Sequence, residues 1–205
     1  RRSGDAVVVR SSQGGAGRLP RGALEHWAHS RLRGRLLLQP ELQLRDRRGR
    51  PFDLRVLVQR DGRGRLAVTG SAVRVGRAGS WVANLHRGGT ALTPEAAQDR
   101  LPGLAEAAAE LPGGSLAVAA HAAALRVTAA IERRWGRFAE LGIDLGFDLG
   151  RRRLFFLEAN TRPGRLIFRK SGDHEARLVS IRRPLEYARF LVRGARPATS
   201  EGAGG

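Results

Sequence analysis

The sequence lacks several residue types, and each absence narrows what the chain can be. Its 205 residues include no cysteine and no methionine, and Lys170 is the only lysine. Without cysteine there are no disulfides and no thiolate metal sites, which fits a reducing compartment. No apolar run approaches the roughly 20 residues of a membrane span, and no signal peptide opens the chain. We therefore expect a cytoplasmic globular protein without a membrane partner.

The basic charge of the chain comes almost entirely from arginine. The formal net charge is +18, and 41% of the residues are hydrophobic, enough for a packed core. A basic surface attracts nucleic acid. Here, however, the arginines are scattered along the chain without a basic arm and with few aromatic neighbours, which favours solvated surface residues. Nucleic-acid binding therefore stays a secondary hypothesis.

The most informative stretch is residues 139–165, where two segments of alternating apolar and polar residues flank a charged turn at Arg151. Such alternation predicts a β-hairpin. In a hairpin centred on Arg151, Asp144 lies across from Glu158, and Asn160 lies one step further along the same face. The alternation also places Phe156 on the face of Glu158 and Asn160.

Two carboxylates this close repel each other, and a divalent cation between them would remove the repulsion. Asp144, Glu158 and Asn160 offer only hard oxygen ligands. This set suits Mg²⁺, which keeps several waters and takes further ligands from nucleotide phosphates. The alternative is an ordinary amphipathic hairpin whose acids face water.

The residues around this stretch resemble a known family. Residues 142–144 (GID) and 158–164 (EANTRPG) look like the metal-binding end of the ATP-grasp ligases, and residues 52–56 (FDLRV) and 84–89 (NLHRGG) add to the likeness. The chain resembles the YheC/YheD endospore coat-associated family and, more distantly, the RimK-like ligases. The resemblance implies an α+β fold, the C-terminal part of an ATP-grasp fold, with a mainly antiparallel sheet backed by helices.

The resemblance also implies a division of the chain. We expect residues 1–34 to be a remnant of the N-terminal ATP-grasp subdomain and residues 35–193 to be the C-terminal catalytic part. Residues 194–205 have the composition of a disordered tail. The glycine-rich residues 11–17 follow a predicted strand at residues 6–10 and form either a phosphate-wrapping loop or a plain hairpin. We expect the family's loop and its phosphate lysines to precede Arg1, in which case the chain is a fragment or a processed product.

Ten positions match the family's functional residues. The resemblance assigns Mg²⁺ to Asp144, Glu158 and Asn160, and it assigns the transferred phosphoryl group to Arg55 and Arg74. The other five are expected to contact ATP or the acceptor substrate: Gln39, Glu41, Leu42, Asn84 and Arg87.

These roles differ in how far the residues alone support them. An arginine on a strand in a cleft can hold a phosphate in a bidentate fork, but Arg55 can equally form a cross-strand ion pair. Gln39, Glu41 and Leu42 would form the hinge whose backbone reads adenine.

The function implied by the resemblance is a Mg-dependent, ATP-dependent carboxylate-amine ligase that acts through an acylphosphate. Its cofactors would be ATP and Mg²⁺, and its carboxylate and amine substrates are open. The alternative is a non-catalytic ATP-grasp-like structural or binding protein associated with the spore coat. The localisation is then cytoplasmic or spore coat-associated.

Further elements follow from local signals. Alternating residues predict strands at 52–60 and 64–75. Helical spacing predicts a helix at 24–32, a helix that begins after the cap Thr93, and the longest helix at 115–137. Pro184 is expected to divide the C-terminal region into two short helices, at 173–181 and 184–192.

Overall fold

The computed structural model describes residues 6–10, 16–31, 41–80, 83 and 88–194. The chain divides into two compact units, residues 1–41 and residues 42–205. The first contains an antiparallel hairpin of β1 (Ala6–Arg10) and β2 (Ala16–Pro20), followed by α1 (Leu24–Arg31). The strand and the helix predicted there are confirmed. Residues 16–17 of the glycine-rich stretch belong to β2, whereas residues 11–15 lie outside the described part.

The second unit is built on a five-stranded sheet in which every neighbouring pair is antiparallel, in the order β5-β4-β3-β6-β7. The two predicted strands and the predicted hairpin are all present. The strand bounds are β3 (Phe52–Arg60), β4 (Leu66–Val75), β5 (Thr90–Leu92), β6 (Glu140–Asp148) and β7 (Arg153–Asn160). The fold is therefore α+β with an antiparallel sheet, as expected.

One face of the sheet carries the main hydrophobic core. Buried residues of β3, β4 and β6, such as Leu54, Val73 and Phe147, pack against three helices. These are α2 (Pro94–Arg100), α3 (Leu104–Ala108) and α4 (Leu116–Trp135). Thr93 and Ser115 cap α2 and α4 by accepting bonds from the backbone N–H groups of the first turn, as their side chains favour.

On the opposite face of the sheet, two C-terminal helices pack over a second apolar cluster. There α5 (Leu166–Ser171) and α6 (His174–Gly194) pack on a smaller apolar cluster that includes Leu57, Ala72 and Phe168. The rest of this face carries charged side chains. No helix within the described ranges is both long and apolar enough to span a membrane.

The prediction of two short C-terminal helices is wrong, because α6 continues through Pro184 and, at 21 residues, is longer than α4. Proline lacks the N–H that would bond to the carbonyl of Ser180. That carbonyl accepts instead from Gln59 Nε2 at 3.0 Å and from Arg165 Nε at 2.9 Å. Two side chains from elsewhere in the fold therefore satisfy the acceptor that proline leaves open.

The face predicted for Phe156 is also wrong. A β-bulge lies in the β6–β7 ladder between Asp144 and Leu145, so Asp144 pairs with Glu158 whereas Leu145 pairs with Phe156. Directly paired residues share a face, and the extra residue, Leu157, shifts the alternation of β7 by one. Phe156 is therefore on the face of Leu145 rather than that of Glu158.

Candidate functional site

The charged part of the sheet brings together side chains from four strands. Asp144 on β6 pairs with Arg55 on β3 and with Glu158 on β7. Because paired residues share a face, these three side chains form one row across the sheet. The predicted register of Asp144 with Glu158 is confirmed, and Asn160, opposite Gly142, lies two residues further along the same face.

Two arginines hold the Asp144 carboxylate from the side of β3 and β4. Arg55 forms a bidentate pair with it, using Nε to Oδ1 and Nη2 to Oδ2, the second at 2.8 Å. Arg74 donates from Nη2 to the same Oδ2 at 2.8 Å and from Nε to Asp53. The planar guanidinium fork suits such paired contacts. The ion-pair alternative for Arg55 therefore holds, with Asp144 as the partner.

Burial and neighbouring charges shift the pKa values of the carboxyl groups in this cluster. Burial acts to raise the pKa of Asp144, but hydrogen bonds and charge from Arg55 and Arg74 outweigh it and leave that pKa below its usual value. Burial raises the pKa of Asp53 to about 6 despite its bond to Arg74. The cluster thus combines carboxyl groups of unequal acidity, a feature common at functional sites.

Glu158 and Asn160 face the open side of the row. The Glu158 side chain is 65% exposed, with Oε1 at 4.0 Å from Arg55 Nη2. The neighbouring Asp144, through hydrogen bonding and charge, raises the pKa of Glu158 above its usual value. Asn160 Oδ1 accepts from the backbone N–H of Arg162 at 2.8 Å, which fixes the amide in an Asx turn.

Gly142 gives Arg55 the space to reach Asp144. A Cβ at this position would lie 2.9 Å from Pro163 Cβ and 3.1 Å from Arg55 Nη1. Both approaches are closer than ordinary van der Waals contact. The glycine that precedes Ile143 in the family motif therefore leaves room for a guanidinium beside the sheet.

The start of the second unit lies against the turn end of the hairpin. The backbone N–H of Gln43 donates to Asp148 Oδ2 at 3.0 Å, and Leu44 packs so closely over Gly146 that a Cβ there would meet it at 2.8 Å. Leu42, a predicted nucleotide-binding residue, directly precedes this anchored segment. Glu41 is the last residue of the first unit.

Three other predicted nucleotide-binding residues lie outside the described residues: Gln39, Asn84 and Arg87.

The donor set on this face fits Mg²⁺. Asp144, Glu158 and Asn160 offer oxygen from two carboxylates and an amide, and the raised pKa of Glu158 reflects carboxylates close enough to interact. Among the residues with described coordinates, no group of three or more His, Cys, Asp or Glu side chains could hold a metal. A cation here would therefore need water and phosphate oxygens to complete its coordination.

The comparison with known families adds an independent observation. Residues 11–191 match the family described as YheC/D like ATP-grasp. The chain belongs to this ATP-grasp family. It is 30% identical over 155 residues to endospore coat-associated protein YheD of Bacillus subtilis (strain 168). The aligned region covers 76% of this chain and 32% of YheD. It is 28% identical over 166 residues to YheC of the same strain, covering 80% of this chain and 43% of YheC. The chain thus spans less than half the length of either curated relative.

Within this ATP-grasp domain, sequence reasoning missed the contribution of two acidic residues. Asp53 orients Arg74, and the buried Asp148 ties the hairpin turn to residue 43 by accepting from the backbone of Arg151 and Gln43. The alternation placed Asp148 on the Asp144 face, but Asp148 accepts from the backbone of Arg151, three residues on, and of Gln43, 105 residues away in sequence. Only the pairing of β3 with β4 could have identified Asp53 as the partner of Arg74.

Proposed function

We propose that this domain binds ATP with Mg²⁺ on the charged face of its sheet and acts as a carboxylate-amine ligase through an acylphosphate. The observation that carries the proposal is the row formed by Arg55, Asp144 and Glu158, with Arg74 and Asn160 beside it. Guanidinium groups for phosphate on β3 and β4 therefore lie next to oxygen ligands for a cation on β6 and β7. Membership of the ATP-grasp family supports the same assignment.

In this proposal, one group of side chains binds the cation and another group binds phosphate. Asp144, Glu158 and Asn160 would hold Mg²⁺, which when bound neutralises charge between the β- and γ-phosphates. Arg55 and Arg74 would steady the γ-phosphoryl group. In the structure, each guanidinium donates hydrogen bonds to the Asp144 carboxylate. When that carboxylate turns to a cation, the same donors become available to phosphate oxygens.

The proposed reaction needs no side-chain nucleophile. A substrate carboxylate oxygen attacks the γ-phosphorus of ATP, the bond to the β-phosphate oxygen breaks, and ADP leaves. An amine then attacks the acyl carbon, inorganic phosphate leaves, and the amine loses a proton to solvent as the amide forms. Positioning and electrostatic stabilisation carry such a transfer. Of the nucleotide contacts, Gln39, Glu41 and Leu42 would bind adenine and ribose, whereas Asn84 and Arg87 would contact phosphate or the acceptor.

A second candidate function is a non-catalytic ATP-grasp-like structural or binding protein associated with the spore coat. The ion-pair network favours it, because both oxygens of Asp144 are satisfied by Arg55 and Arg74 without any ligand. The names of YheD and YheC describe those proteins as endospore coat-associated. In this alternative the charged row stabilises the sheet and binds nucleotide at most.

Calorimetric titration with ATP, in Mg²⁺ and in EDTA, tests the binding step. We expect Mg-dependent binding, which Glu158→Gln weakens about tenfold or more, because one anionic ligand becomes neutral. Glu158 is largely exposed, so the variant should fold. The matched control is Glu106→Gln, which removes an exposed carboxylate paired with Arg47.

The outcomes separate the candidates. Equal ATP affinity with and without Mg²⁺, or an unaffected Glu158→Gln variant, would refute the magnesium site. If binding is Mg-dependent, ADP release is next measured with candidate carboxylates and amines on the longest protein that the gene encodes. Binding without substrate-stimulated ADP release would favour the structural alternative.

A further inference from the structure

The outward face of α6 carries an apolar stripe whose residues are half to two-thirds exposed or, in the case of Ala188, classed as exposed. The inner side of the helix packs through Ala176, Ser180 and Tyr187, which are buried. On the opposite side Leu178, Leu185 and Val192 are each about two-thirds exposed, at 68%, 69% and 66%. The full stripe is Leu178, Ile181, Leu185, Ala188 and Val192.

The spacing of this stripe is that of a helix-pairing seam. Its steps of three and four residues repeat the a and d positions of a heptad from residue 178 to residue 192. At 3.6 residues per turn the five positions fall within an arc of about 80° and run about 21 Å along the axis. Because apolar residues recur at the a and d positions over two heptads, the seam favours another helix as the occupant.

Arginines border the seam on both sides. Arg182 and Arg189 occupy the e positions beside it, and Arg177 occupies one g position on the other edge, where the other two g positions are Pro184 and the half-exposed Leu191. All three arginines are exposed, and Arg177 and Arg189 form no ion pair with any described residue. The third, Arg182, contacts Glu186 at 3.0 Å on its own helix.

These arginines make a second copy of the chain an unfavourable occupant. In an antiparallel pair of identical helices, e positions face e positions, so Arg182 and Arg189 would meet arginines. In a parallel pair g faces e, so Arg177 would meet Arg182 of the partner. Like charges at these positions oppose pairing in both orientations, whereas an acidic helix would be attracted.

We propose that the α6 seam is a docking surface for an acidic amphipathic helix of a partner protein. The partner would place apolar residues at its own a and d positions and Glu or Asp at e and g. About four helical turns would match the length of the seam. This surface is formed by α6 alone, and its use does not depend on nucleotide binding.

The test uses a synthetic three-heptad peptide with Leu at a and d and Glu at e and g, and a scrambled peptide of the same composition. Fluorescence anisotropy measures binding to the full 205-residue chain. We expect the heptad peptide to bind at least tenfold more tightly than the scrambled one, with affinity falling as salt rises. Leu185→Gln and Arg189→Glu should each weaken binding about tenfold, whereas Arg133→Glu, a matched reversal on the exposed side of α4, should not.

Circular dichroism melts establish that each variant folds, which the exposure of Leu185 and Arg189 favours. Three results would overturn the proposal. The first is equal binding of heptad and scrambled peptides, and the second is binding unchanged by Leu185→Gln. The third is a Leu185-dependent dimer, or Leu185-dependent binding to phosphatidylglycerol vesicles, in place of peptide binding.

Discussion

Asp144 is an almost fully buried carboxylate, and its burial is tolerated because two guanidinium groups contact it. A buried charge without such partners would be strongly destabilising. The arrangement depends on a residue with no side chain at all, since Arg55 reaches Asp144 over the Cα of Gly142. The site is therefore sensitive to added volume at position 142 as well as to lost charge.

We expect Gly142→Ala to lower the free energy of unfolding by about 1–3 kcal/mol. The new methyl group would meet Pro163 at 2.9 Å and Arg55 at 3.1 Å, which displaces the guanidinium from Asp144. Urea unfolding, followed by circular dichroism, measures the change. The control is Gly164→Ala, where a Cβ would meet nothing within 4 Å. A Gly142→Ala protein as stable as the control would contradict this account.

At the scale of elements, the continuity of α6 depends on side chains from two other parts of the fold. Gln59 lies on β3 and connects three groups, because Nε2 donates to Ser180 O and to Glu140 and Oε1 accepts from Thr69. Arg165 donates to the same carbonyl and to the same glutamate. A proline in a helix interior ordinarily costs about 3 kcal/mol, part of it from the unpaired carbonyl. In α6, the hydrogen bonds from Gln59 and Arg165 to the Ser180 carbonyl offset the part of this cost that comes from the unpaired carbonyl.

A double-mutant cycle tests this coupling. Gln59→Leu alone should destabilise the protein by about 1–3 kcal/mol, because it removes one of the two donors to Ser180 O and the acceptor of the Thr69 hydroxyl. In a Pro184→Ala background the same change should cost less, since residue 184 then has an N–H for the Ser180 carbonyl. Urea unfolding of the four proteins gives the coupling energy. Additive costs would mean that the helix passes residue 184 for another reason.

The α6 result illustrates which elements could be predicted from the sequence. The strands β3 and β4 and the cap Thr93 follow from signals within a few residues, and the structure agrees with them. The helix through Pro184 could not be predicted, because Gln59 lies 121 residues from Ser180. The bulge at Leu157 was likewise invisible, since alternation alone cannot reveal an inserted residue.

The candidate site likewise contains some contacts that could be predicted from the sequence and others that could not. The predicted register of Asp144 with Glu158 agrees with the structure only because the bulge at Leu157 offsets a turn whose register is one residue away from the predicted one, as the pairing of Asp148 with Arg153 shows. The bidentate contact of Arg55 with Asp144 could not be predicted, since 89 residues separate them and the pairing of β3 with β6 has no local signal. Sequence therefore indicated the residue types of the site and one strand pair, whereas the arginine contacts required the assembled sheet.

At the scale of the whole molecule, positive charge dominates the balance between folded and unfolded states. With 37 basic residues against 19 acidic ones, the formal charge is +18 at pH 7. Protonation of all 19 carboxyl groups and of the 5 histidines would raise it to 37 + 5 = +42. Self-repulsion of this size destabilises a compact chain. Ion pairs such as Arg55 with Asp144 lose their negative partner when the carboxylate is protonated.

The pKa shifts of individual groups determine the pH at which the stability of the fold begins to fall. Asp144 and Asp148 have pKa values below the usual 3.8, so their contributions are complete above pH 3.8 and disappear as pH falls further. Burial lowers the pKa of His121, so its contribution declines as pH falls below 6.5. Asp53 has the opposite sign: its pKa is raised to about 6, so the folded state gains stability as pH falls from about 6 towards 3.8.

We therefore expect the urea midpoint to change little between about pH 7 and pH 5, where the terms of His121 and Asp53 oppose each other, and to drop steeply below about pH 4. Because self-repulsion contributes to the drop, about 0.5 M NaCl should recover part of the lost stability at pH 3.5 while changing the midpoint at pH 7 much less. Urea is suitable because it is uncharged. Stability that rises below pH 4, or that salt leaves unchanged there, would show that neither the arginine-paired carboxylates nor the net charge governs the acid limit of this fold.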